Sequence, residues 1–216
     1  MQAVDLVVES PVSTSTRARQ VCSMFDAPPS AKARQHWHVE IDLETPWNVG
    51  LVVGPSGSGK SSVMRHLWGE PTPLAWCAAG VIDDFSTALS VEDITSACSA
   101  VGFGTIPAWM RPFSVLSNGE RFRVDLARRM VEAEPGSTVV VDEFSSVVDR
   151  QVARIASHAV QRYVRKRDAR FVAVSCHYDI IDWLQPDWVL DMATRSWTRR
   201  LLQRRPAIEC TIGRLP

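Results

Sequence analysis

Gly54, Pro55, Ser56, Gly57, Ser58, Gly59, Lys60 and Ser61 follow directly on the apolar run WNVGLVV and lead into a helical stretch, and they narrow the fold further than any other feature of the sequence. The pattern GxxxxGK[ST] between a strand and a helix builds a phosphate cradle. Small residues let backbone N–H groups wrap phosphate oxygens without Cβ clashes, and the helix start adds favourable partial charge. Lys60 is placed to reach β and γ phosphates and the Ser61 hydroxyl to hold Mg²⁺, with Ser62 completing the binding set.

Three further apolar runs, AAGVID, STVVVDEF and RFVAVSCH, alternate with helical stretches and read as buried parallel strands of an α/β sheet. Residues 4–8 and 37–43 read as strands of a β-rich entry segment, with a Pro, Ser and Ala-rich stretch at 26–33 between them. Residues 86–133 read as helices, starting at the SVED pattern of Ser90, breaking between Gly102 and Pro112 and resuming near Gly119. The pieces WVLDM, RSWTRRLL and AIECTI suggest a strand-like tail on the sheet edge. The expected organisation is one domain: an entry segment at 1–46, a phosphate-loop core at 47–82, a short helical insertion at 83–133, and the acidic strand and tail at 134–216.

Composition sets limits on partners. The 24 basic and 24 acidic side chains cancel, which removes any general attraction to nucleic acid or an anionic membrane. The Arg-rich stretches at 162–170 and 199–205 read as a solvated helix face and tail. Cys22, Cys77, Cys98, Cys176 and Cys210 are odd in number and widely spaced, the usage of reduced thiols rather than of a disulfide framework or zinc site. No leader-like start and no run of about 18 apolar residues is visible. The expectation is a soluble, cytoplasmic protein.

The strand run TVVVDEF ends in Asp142 and Glu143. Downstream of a phosphate loop, the first acid at such a tip holds the metal, directly or through water. The second can polarise the attacking water as general base or orienter.

Leu116, Ser117, Asn118, Gly119 and Glu120, followed by the Arg-rich helix ERFRVDLARRM, resemble the LSGGQ signature of ABC ATPases. The order of elements matches that family too: phosphate loop, signature, acidic strand, SSVVDR with Asp149 at the D-loop aspartate, and VSCH with His177 at the switch histidine. The resemblance covers roughly residues 47–180. It implies an α/β P-loop fold, a mostly parallel core sheet flanked by helices, ATP and Mg²⁺ as ligands, and a head-to-tail homodimer formed on ATP binding. It further implies that Ser117 and the Gly119 backbone meet the γ-phosphate held by Lys60 of the partner subunit. His177 would hydrogen-bond that phosphate, and Asp149 would couple the two sites.

The departures from the family pattern are specific. Asn118 stands where a second glycine is common, and Glu120 where transporter subunits usually carry glutamine. No glutamine lies between Ser62 and Ser117, so the Q-loop residue is missing or replaced. Asp83 and Asp84 stand where a carboxylate could reach the metal, or could be structural. Phe25 stands where the family often stacks an aromatic on adenine, or is a core aromatic. The 57 positions from Lys60 to Ser117 make a reduced helical subdomain, which disfavours docking to a transporter's membrane subunit. In more detail the sequence is similar to the ATPase half of prokaryotic and phage ABC-type ATPases fused to a predicted acetyltransferase domain, a module expected here to be absent or separate. Three uses compete: a switch in nucleic-acid transactions, an ATPase subunit serving a separate protein, and an ATP-binding module with little turnover, which Glu143 and His177 argue against.

Overall fold

The computed structural model describes residues 2–26 and 32–200. Strands β1 (Gln2–Pro11) and β2 (Lys32–Ile41) form an antiparallel pair in register Gln2 to Ile41 through Pro11 to Lys32. Between them lies helix α1 (Thr16–Met24), which the sequence reading did not anticipate; Ser15 caps it by accepting from the Ala18 N–H. Residues 27–31, most of the expected Pro, Ser and Ala-rich stretch, lie outside the described residues.

The main sheet is built on β3 (Val49–Val53), in which every residue is buried. Helix α2 (Lys60–Trp68) follows the phosphate loop. A helical segment comes next: α3 (Val91–Ala100), α4 (Ile106–Trp109) and α5 (Asn118–Val131). The chain then alternates through β4 (Thr138–Val141), α6 (Arg150–Lys166), β5 (Arg170–Ser175), α7 (Ile180–Leu184), β6 (Trp188–Asp191) and β7 (Ser196–Arg199). Strand order is β4-β5-β3-β6-β7, parallel except for β7 against β6. Residues 201–216, including the AIECTI piece and Cys210, lie outside the described residues.

Because β3 has helices or strands on both faces, both sides of its two-residue alternation are apolar. Val49, Leu51 and Val53 pack with Phe171, Phe144 and the apolar sides of α5 and α6. Val52 turns the other way, into a second core with Val63 and Met64 of α2 and with Val4, Trp37, Val39 and Ile41 of β1 and β2. Gly50 also faces this second core. A Cβ there would lie 2.0 Å from Trp188, so only glycine lets the indole cross β3.

The run AAGVID is not a strand, which corrects the sequence reading. Val81–Asp84 is a 3-10 turn. The Asp84 carboxylate accepts from the N–H groups of Cys77 at 2.8 Å and Ala78 at 3.0 Å, and the Val81 N–H donates to Arg111 at 2.9 Å. A short carboxylate that captures nearby amides offers the backbone an alternative to a sheet ladder. The sheet therefore ends at β4.

Candidate functional site

All four parallel strands deliver their C-terminal ends to one edge of the sheet, the edge where open α/β folds bind ligands. Val53 is level with Ser175 and with Asp191, and Val141 is level with Ala173. Gly54, the pair Asp142 and Glu143, and His177 therefore leave the same end of the sheet within about three residues' rise of one another. β5 runs between β3 and β4, so the acidic tip is two strand spacings from the phosphate loop, about 10 Å.

Gly54 to Ser61 forms a tight turn that enters α2 through Gly59, whose φ is +89°. A Cβ on Gly59 would meet the Trp37 ring at 2.9 Å, so β2 presses directly against the loop. The Lys60 ammonium folds back, donating to the carbonyls of Gly54 at 2.9 Å and Pro55 at 2.7 Å. Gly57, Gly59, Lys60, Ser61 and Ser62 line a cavity of about 240 Å³. Among the described residues, neither the buried Ser58 hydroxyl nor the Trp37 indole N–H, which lies against Gly59, has a hydrogen-bond partner. Two such polar atoms at a loop of amides and a lysine suit a polyanionic ligand.

Asp142 accepts from the Glu143 N–H at 2.9 Å. Glu143 has a φ of +51° and its side chain is exposed, while the next residue, Phe144, is fully buried and donates its N–H to Val174 at 2.7 Å. Burying Phe144 thus forces the left-handed turn that faces Glu143 outward. His177 is half-buried, with its N–H on the Ser175 hydroxyl at 3.1 Å. No group of three or more His, Cys, Asp or Glu among the described residues could hold a metal alone. Ser61 and Asp142 suit an ion that keeps water and phosphate oxygens as its other ligands.

Ser117 and Asp149 act locally as helix caps. Asp149 accepts from the N–H groups of Gln151 and Val152 at 2.9 Å each. Ser117 caps α5 in a reciprocal box: its hydroxyl accepts from the Glu120 N–H at 3.3 Å and donates to the Glu120 carboxylate at 2.7 Å, which also accepts the Ser117 N–H at 2.8 Å. The hydrogen bond from the Ser117 hydroxyl, then that from its N–H, holds the Glu120 carboxyl below the usual glutamate range. Gly119, in the first turn, accepts from the Arg123 side chain at 3.0 Å.

Of the sequence alternatives, that for Asp84 resolves toward a structural role and that for Phe25 away from one. The Asp84 carboxylate is taken up by the amides of Cys77 and Ala78, and Phe25 is 75% exposed at the end of α1, so it is not a core aromatic. The sequence reading missed Trp37, Arg150, Tyr178 and Asp179. Only Trp37 carried a signal, since it alternates with Val39 and Ile41 on the buried face of β2.

A five-stranded, mostly parallel sheet with a phosphate loop, an acidic tip and a histidine tip on one edge is the architecture of an ABC ATPase cassette, and the fold is of that class. The dimeric structure of MJ0796, a bacterial ABC transporter cassette, superposes with a TM-score of 0.54 at 13% identity, covering 73% of this chain and 87% of that one. MJ0796 in a post-hydrolysis state bound to ADP and Pi gives a TM-score of 0.56 at 11% identity, covering 76% of this chain and 92% of that one. In sequence, the hemin import ATP-binding protein HmuV of Pseudomonas putida is 30% identical over 57% of this chain. The chain spans 65% of that relative's length. No family model matches the sequence.

Proposed function

We propose that this chain is an ATP hydrolase whose two copies close head to tail around ATP. The observation that carries the reading is the placement of the phosphate loop, Asp142 with Glu143, and His177 on one sheet edge. Gly54 to Ser62 cradle the phosphates. Lys60 exchanges its two carbonyl bonds for the β and γ phosphates. Ser61 and Asp142 would hold Mg²⁺, which would supply neutralisation of phosphate charge. Glu143 orients and deprotonates the attacking water, and His177 hydrogen-bonds the γ-phosphate; positioning and electrostatics supply most of the acceleration. Ser117 and the Gly119 amide of the second copy complete the phosphate site, and Asp149 couples the two sites.

Light scattering with Mg²⁺ and ATP tests this on the intact chain and Glu143→Gln. The expected result is an ATP-dependent dimer that the substitution traps. A monomer under every nucleotide condition would overturn the head-to-tail site.

Four large apolar side chains on the helical segment favour a second reading, an ATPase subunit serving a separate protein: Val91, Ile106, Met110 and Val115 are 67%, 66%, 66% and 62% exposed. The resemblance to ATPases joined to an acetyltransferase supports a partner of that kind over a membrane subunit. No helix among the described residues is long and apolar enough to cross a membrane. Co-purification that is lost with Ile106→Ser and Met110→Ser would support this reading; retention would count against it.

A further inference from the structure

The segments carrying Glu143, Asp149 and His177 converge on one guanidinium. Arg150 is the first residue of α6, next to Asp149. Its Nε donates to Asp179 Oδ2 at 2.8 Å and its Nη2 pairs with Oδ1, a two-pronged contact. Its Nη1 lies 3.5 Å from the Ser145 hydroxyl, and its carbon sits 5.0 Å from the centre of the Trp183 ring in α7. Ser145 is two residues beyond Glu143, fully buried, with a φ of +67°. Asp179 is two residues beyond His177.

From the opposite side, the Tyr178 hydroxyl donates to Asp191 at 3.0 Å at the end of β6. The loop carrying His177 is thus held by α6 on one flank and β6 on the other. The base of Arg150 is firm, because Ala153, Ala156, Ser157 and Val160 seat α6 in the core. As an ion pair between half-exposed side chains, Arg150 and Asp179 contribute little to stability. A planar fork joining two loops does fix geometry, which a point charge does not.

We propose that Arg150 is a positioning residue that sets the spacing between Glu143 and His177, so that both address the same γ-phosphate and water. This rests on the reading of the site as an ATP hydrolase. Steady-state turnover and nucleotide binding on the full chain test it, with Arg150→Ala, Arg150→Lys, Asp179→Ala and the Arg150→Ala, Asp179→Ala pair. A misplacement near 1 Å costs up to about 100-fold in rate, so kcat is expected to fall about 10- to 100-fold while KM and ATP affinity hold.

Arg150→Lys should stay close to Arg150→Ala, because an ammonium cannot span Asp179 and Ser145 together, and the double variant should be no slower than either single one. If Arg150→Ala fails to fold, Arg150→Lys and Asp179→Ala decide by the same split. Wild-type kcat in the variants, KM rising in step with falling kcat, or additive losses would overturn the proposal alone. A wild-type chain that binds but never hydrolyses ATP would overturn the hydrolase reading and this proposal with it.

Discussion

The capping box at the start of α5 sets two expectations of opposite sign for neighbouring residues. Ser117 and Glu120 satisfy each other, yet the proposed head-to-tail site asks that same helix start to face a γ-phosphate. Glu120→Gln keeps the reciprocal hydrogen bonds, since glutamine also closes a capping box, and removes one negative charge. Two unit charges about 4 Å apart interact by about 1 kcal/mol in water, which is about fivefold in an equilibrium constant. A head-to-tail dimer carries two such sites, so the ATP-dependent dimer should tighten about 30-fold, while the midpoint of thermal unfolding falls slightly because the charge-assisted part of the cap is lost. Ser117→Ala loses the cap itself, about 1 kcal/mol. In a chain of 216 residues that lowers Tm by roughly 2–4 °C, and the dimer weakens because the hydroxyl is gone. Sedimentation with Mg²⁺ and ATP, beside thermal melts, separates the two effects.

The pH dependence follows from the same pair. The Glu120 carboxyl titrates below its ordinary value because Ser117 hydrogen-bonds its charged form. Its contribution to stability is present above the ordinary glutamate value and is lost as pH falls through the lowered one. Glu120→Gln should flatten that part of the acid limb. If Glu120→Gln dimerised more weakly than the wild type, in parallel with Ser117→Ala, the idea that Glu120 opposes phosphate docking would be refuted.

Gly50→Ala should cost about 3 kcal/mol, the upper end for overpacking, because its Cβ falls 2.0 Å from a Trp188 ring that is 1% exposed; a Tm within 2 °C of wild type would contradict the close packing. Exposed Cys77 and Cys176 should react quickly with a thiol reagent at pH 8, and ATP should slow Cys176 alone; Cys98, buried and with its thiol pushed up to about 12, should react only on unfolding. Asp187→Ala should destabilise by about 2–3 kcal/mol, since its carboxylate pairs with Arg165 and accepts the Asn48 and Val49 N–H groups at the far end of β3. Turnover per folded molecule should be unchanged by Asp187→Ala, and a specific loss of kcat would show that the two sheet edges are coupled.

What the sequence makes legible is what is local. The phosphate loop declares itself because a glycine at 59 and a lysine at 60 have little other reason to stand between a strand and a helix, and the runs over β3, β4 and β5 declare themselves as continuous apolar stretches, buried in β3 and β5 and half-buried in β4. AAGVID has the same composition as those runs, and only Asp84 reaching back to the amides of Cys77 and Ala78 makes it a turn. Arg150 and Asp179 are 29 residues apart, and no periodicity or motif links them before the chain is folded. The strand tips were readable one by one; the ties between them were not.

Those ties explain why the local rules fail where they do. Glu143 and Ser145 both adopt the left-handed conformation, which costs a residue with a side chain about 1–2 kcal/mol each. Glycine would relieve that at position 143 without disturbing the fold. The burial of Phe144 between Phe122 and Phe171, about 2–3 kcal/mol for such a side chain, offsets much of the strain and pins the turn from inside. Arg150, held by Asp179 and reaching toward Ser145, pins it from outside. A strained glutamate gripped on both sides, at the edge that also carries the phosphate loop, is what a chain keeps when the carboxylate's direction matters more than the comfort of its backbone.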